Sequence, residues 1–110
     1  MIVRISASIV REPSLNEYLE HLQRNEIPHY EAAPGLISVW LLQRPFVAYV
    51  ELLIISLWHS EQALTRFLET QTQTPAATET YGSIQLEARN YTVLISGHGK
   101  VQEAGDIPPR

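Results

Sequence analysis

The sequence contains no cysteine. That excludes disulfides, thiolate-held metals and a cysteine nucleophile, and it removes any sign of an oxidising compartment. Lysine is nearly absent too: of the eight lysines and arginines, only Lys100 is a lysine. Twelve acidic residues outnumber these cations, for a formal net charge of -4. With no basic stripe, a nucleic-acid surface is not expected. A long hydrophobic run is also missing. The longest apolar stretch, Phe46 to Trp58, contains Glu51 and Ser56 and is too short to span a bilayer. Met1 to Val10 has no cationic region leading into an apolar core, so it does not read as a signal peptide. The expected location is therefore the cytoplasm, with no membrane partner. There is no glycine-rich phosphate loop, nucleophile elbow or EF-hand pattern. The histidines, His21, His29, His59 and His98, show no ligand spacing, so no metal and no cofactor are expected.

What is present is periodicity. Ile2 to Val10 alternates, with Val3, Ile5, Ala7 and Ile9 on one face and Arg4, Ser6 and Ser8 on the other, as in a strand. Ser14 and Glu17 have capping-box spacing and open a helix with an apolar stripe at Leu15, Tyr18, Leu19 and Leu22. Pro28 disfavours helical geometry before it, so this helix is expected to weaken by Ile27, with a short turn over 29–33. Pro34-Gly35 ends it. Leu36 to Gln43 reads as strand two, with Leu36, Ser38, Trp40 and Leu42 on one face, and Arg44-Pro45 as its stop. Phe46 to Trp58 reads as strand three, apolar on both faces and so covered on both. Ser60 is a good N-cap for helix two, whose buried stripe is Ala63, Leu64, Phe67 and Leu68. The stretch 70–83 reads as an irregular excursion, Ile84 to Leu86 as a short extended piece, and Tyr91 to Ser96 as the last strand.

The order strand, helix, strand, strand, helix, strand is the split β-α-β motif of an α+β, ferredoxin-like domain with an antiparallel sheet. Residues 1–96 would form that domain and 97–110 a flexible tail. Two helices shelter one face of a four-stranded sheet. Strand three is apolar on both sides, so the second face calls for another sheet, most simply from a second copy of the chain.

The order of elements resembles the dimeric α/β-barrel superfamily, and specifically the antibiotic-biosynthesis-monooxygenase-like domains. The resemblance is carried by Ile27-Pro28-His29-Tyr30 through Pro34-Gly35, by Ile55 through Leu64 with its Trp-x-Ser-x-x-Ala-Leu run, and by Phe67. It implies a homodimer joined sheet to sheet, with a pocket in each subunit between sheet and helices. It implies an oxygenase that uses neither metal nor flavin: the substrate itself reduces oxygen, and the protein binds it, favours its deprotonated form and excludes water. A haem-degrading branch of the family carries an asparagine on strand one, a tryptophan in helix two and a haem-ligating histidine soon after. Here Ser6 and Phe67 stand near the first two places, and no histidine occurs between His59 and His98. That branch is a poor match.

Within this frame His29 is the candidate base, since imidazole titrates near neutral pH. The candidate substrate-binding residues are Ser6, Ser8, Trp40, Trp58, Phe67 and Tyr81. The two tryptophans could stack on a flat ligand, though both could be core or interface filler. Arg4, Ser6 and Ser8 need a polar cavity, an edge position or intersubunit partners. His21 is expected on an exposed helix face, and Glu51 in an ion pair with Arg4 or Arg44, preferably across a dimer. The alternative function is a non-catalytic dimeric module that binds a small ligand or serves a structural or stress role.

Overall fold

In a computed structural model, residues 1–71 and 81–100 are described. Strands β1 (Ile2–Arg11), β2 (Leu36–Phe46), β3 (Tyr49–Trp58), β4 (Ile84–Gln85) and β5 (Arg89–Thr92) form one sheet. Its order is β2-β3-β1, with β4 and β5 pairing successive parts of the free edge of β1. Every neighbouring pair is antiparallel. This is the ferredoxin-like α+β arrangement expected from the sequence. The helical elements are α1 (Leu15–His21), α2 (Ile27–Glu31) and α3 (Glu61–Thr70). None of them is long and apolar enough to cross a membrane.

Several boundaries differ from expectation, each for a physical reason. Ser14 does not cap α1 through its side chain; a 3₁₀ turn over Glu12–Ser14 leads into the helix instead. Pro28 does not end the helical run. A π-helical segment, Leu22–Glu26, intervenes, in which the Ile27 amide bonds Leu22 rather than the carbonyl four residues back. The widened turn places Pro28 in the first turn of α2, where no amide proton is required. Arg44-Pro45 does not stop β2, because β2 is an edge strand and tolerates a missing donor. The hairpin tip is Val47-Ala48, with Ala48 at φ 64. By contrast Ser60 caps α3 as expected, its hydroxyl accepting from the Ala63 amide at 3.1 Å. The last strand is Arg89–Thr92 rather than 91–96, and Leu94 and Ile95 are exposed beyond it. The Thr- and Gln-rich excursion falls largely outside the described residues, as does most of the expected tail.

The helices cover one face of the sheet, over two apolar clusters. Under α1 lie Val10, Tyr18, Leu22, Val50 and Leu52; under α2 and α3 lie Tyr30, Trp58, Leu64 and Phe67. Ile54 packs against both. The register then fixes what each face holds. Ile2, Arg4, Ser6, Ser8 and Val10 share the helix side with Trp58, Ser56, Ile54, Leu52 and Val50. The opposite, open face takes Val3, Ile5 and Ala7 against Leu57, Ile55 and Leu53. On β2 a bulge between Leu36 and Ser38 turns Leu36 to the helix side with Val39 and leaves Trp40 and Leu42 on the open face. Glu51 pairs with Arg44 of the same chain at 3.0 Å, across the hairpin rather than across a dimer.

Candidate functional site

The turn between α2 and β2 brings two helices together. Gly35 adopts φ +88, and a Cβ there would collide with the Ala63 Cβ. Only glycine meets both demands, and the result is close contact between this turn and the start of α3. Its carbonyl also accepts the His59 amide at 2.9 Å. From this contact α2 and α3 diverge and leave a groove of about 550 Å³. That is the size of a small-molecule site.

One wall is Ala32, Ala33 and Pro34; Ala63 and Phe67 form the floor. Polar groups enter from His29 on α2 and from Gln62 and Arg66 on α3. Phe67 decides the geometry. It is 3% exposed, and its ring meets Tyr30 at 4.5 Å, Trp58 at 5.0 Å and His29 at 5.0 Å between centroids. Phe67 thus divides the groove, where His29 is exposed, from the interior, where Trp58 is fully buried and donates from Nε1 to Ser56 Oγ at 2.9 Å.

Beyond that wall runs the polar row of β1. The Tyr30 phenol is buried, and burial raises its pKa above the ordinary 10.0. A hydrogen bond from the Ser6 hydroxyl and the charge of Arg4 act against this rise, Glu26 adds to it, and Gln71 opposes it weakly. A native pKa above the unfolded one contributes stability that is whole below pH 10 and lost as pH rises through the native value. The melting temperature is therefore expected to fall in alkali above about pH 10, and less steeply in Tyr30→Phe. Circular dichroism melts from about pH 8 to 11.5 check this; parallel curves for the two proteins would show that Tyr30 carries no such linkage.

Further along β1, the Tyr18 hydroxyl donates to Ser8 Oγ at 3.1 Å and accepts from Gln85 Nε2 at 3.2 Å. Tyr81 packs on Tyr18 and on His21, at 5.6 Å and 5.4 Å between centroids. His21, expected on an exposed face, is half-buried. Asn25 Nδ2 lies 3.1 Å from His21 Nδ1 and 3.2 Å from the His21 carbonyl, so the amide nitrogen donates to both. The other ring nitrogen, Nε2, is buried and has no partner among the described residues.

The expected site residues thus fall into three places. His29 and Phe67 line the groove, with Trp58 directly behind. Ser6, Ser8 and Tyr81 lie on the inner polar row, beyond the aromatic wall. Trp40 is on the open face, 48% exposed, and cannot share a cavity with the others; the bulge in β2 keeps it there. Sequence reasoning did not single out Tyr30, Gln62 or Arg66. Tyr30 adjoins His29, and Gln62 and Arg66 sit one turn apart beside the Ala63/Phe67 stripe, but their convergence needs the α2–α3 packing.

No protein-family model and no curated protein sequence matches the chain. Solved structures do match. A proposed antibiotic biosynthesis monooxygenase from Deinococcus radiodurans superposes with TM-score 0.71 at 12% identity, over 92% of this chain and 100% of that one. SnoaB, a cofactor-independent oxygenase from Streptomyces nogalater, gives 0.61 at 17% identity, over 86% and 95%. A MhuD variant with two manganese protoporphyrin IX molecules per active site gives 0.65 at 21% identity, over 90% and 100%. At such identities the likeness establishes the fold: that of the antibiotic-biosynthesis-monooxygenase-like domains, which the sequence motifs resemble.

Proposed function

We propose that the chain forms a homodimer through its open sheet faces, and that each subunit binds a small, flat, apolar molecule in the α2–α3 groove and oxygenates it without metal or flavin. One observation carries this reading. An apolar floor ending in Phe67 is flanked by a single exposed imidazole, His29. The match to a cofactor-independent oxygenase supports it at the level of fold.

The chemistry suits such a site. A methylene flanked by aromatic rings and conjugated to a carbonyl, as in an anthrone, gives up a proton to His29. The resulting enolate passes one electron to oxygen, and the radical pair recombines into a hydroperoxide carrying the returned proton. Loss of water leaves a second carbonyl, so CH₂ plus O₂ becomes C=O plus H₂O. Phe67 holds the ring plane, with Trp58 buried behind it. Ser6, Ser8 and Tyr81 would extend the site only if a ligand passed the aromatic wall. The donors do not suit haem held from helix two: Gln62, Ala63, Arg66, Phe67 and Thr70 face the groove from α3, and none of them ligates iron.

The test is oxygen uptake with a panel of anthrone-like and hydroquinone compounds. Uptake is expected with at least one, and His29→Gln should reduce the rate about a hundredfold, the lower end for a general base. Binding without uptake across the panel would favour the non-catalytic ligand-binding module instead.

A further inference from the structure

We propose that the groove selects flat aromatic molecules that carry a carboxylate, the ring lying on Phe67 and the carboxylate gripped by the Arg66 guanidinium. The inference rests on the groove being the binding site and narrows its substrate class.

Charge is the first argument. The chain is acidic, with twelve aspartates and glutamates and a formal net charge of -4. Among the described residues no carboxylate lines the groove, whereas Arg66 does. Among the described residues the ion pairs are Arg24 with Glu20 and Arg44 with Glu51, so Arg66 reaches the groove without an acidic partner there. A bound neutral ring would leave that guanidinium idle; a carboxylate would complete it.

Placement is the second argument. On α3, Gln62 and Arg66 are four residues apart and project to the same side, next to the Ala63 and Phe67 stripe. An apolar strip therefore runs beside a donor strip, as an aromatic ring runs beside its acid substituent. The guanidinium fork matches a carboxylate with two parallel hydrogen bonds, which a lysine could not supply. The Gln62 amide is placed to add a third. Of the two hydroxyls lining the groove, Thr70 already donates to the Phe67 carbonyl at 2.7 Å, while Ser60 accepts from the Ala63 amide and keeps its own proton. The charged contact to the acid therefore falls to Arg66, with Gln62 and Ser60 as neutral donors beside it. Arg66 is exposed, so solvent moderates the attraction and the expected discrimination is about tenfold.

The probes are 2-naphthoate and its neutral counterpart, 2-naphthamide, titrated calorimetrically against the full chain. Wild-type protein should bind the naphthoate about tenfold more tightly than the amide. Arg66→Gln should abolish this preference by weakening naphthoate binding about tenfold more than amide binding, and Arg66→Lys should restore part of it. Equal binding of the two probes, a preference that survives Arg66→Gln, or no binding of either would overturn the proposal. Its fate separates from that of the oxygenase. A naphthoate preference with no oxygen uptake keeps the binding class and removes the chemistry. Uptake without the preference does the reverse.

Discussion

Ile55→Glu is expected to convert the proposed dimer to a folded monomer, with sedimentation mass falling to the 12.5 kDa of one chain. Ile55 is at the middle of the open face, opposite Ile5 on β1 and Trp40 on β2. Along the same face run Val3, Ala7, Leu53, Leu57 and Leu42. Strand spacing of about 4.8 Å over four positions, with about 3.3 Å per residue over ten, gives an area of roughly 600 Å². A monomer rarely shows water an apolar patch much above this, and a standard interface takes about 800 Å² per partner. Among the described residues the helices pack on the other side, so a second sheet is the natural cover. A two-fold interface receives the substitution twice, which puts two unpaired carboxylates into an apolar layer. About 4 kcal/mol is a moderate cost for one uncompensated buried charge, near a thousandfold in the dissociation constant. Gln23→Glu, on an exposed helical position, adds the same charge and should leave the mass unchanged. A wild-type chain that sediments as a well-folded monomer would end the argument.

The same face shows where sequence was informative and where it was not. Alternation on β1 told correctly which residues share a side, and β3 told that both of its faces are apolar. Alternation does not say which side faces the chain's own helices. Ordinary amphipathic logic would turn Val3, Ile5, Ala7 and Ile9 inward. The structure instead puts Arg4, Ser6 and Ser8 under the helices, where Asn90, Tyr30 and Tyr18 meet them. Those partners are 10 to 86 positions away in sequence, so no local pattern could reveal the pairing. On β2 a single bulge reassigned Leu36, and with it the company of Trp40, because one extra residue flips every side chain on one side of it. Pro28 read as a terminator because its cost depends on hydrogen-bond register, and one π turn removes it. The groove is the least legible feature. His29 and Phe67 were visible as residue types, but the groove they line depends on the turn that Gly35 seats against Ala63.

Phe67→Ala should produce the largest loss of stability of any single change at the site, about 3–5 kcal/mol. The ring is the common neighbour of Tyr30, Trp58 and His29, so its removal strips three aromatic contacts at once and leaves a void between two helices. A domain of this size holds about 5–15 kcal/mol in all, so the melting temperature should drop by about 15 °C or more. The void also has a direction. Phe67 is the partition between the groove and Trp58, which has no exposure in the intact protein. Without the ring, the groove deepens onto the indole. In a Trp40→Phe background, which removes the exposed indole, acrylamide should leave Trp58 fluorescence untouched with Phe67 in place and should quench it in Phe67→Ala below the melting transition. Phe67→Leu keeps most of the volume, so it should cost less and keep Trp58 shielded. If Phe67→Ala melted within a few degrees of the wild type, or Trp58 stayed dark to acrylamide, the partition would be elsewhere. The groove and the buried aromatic stack would then be separate features, and the ring-binding role assigned to Phe67 would lose its structural basis.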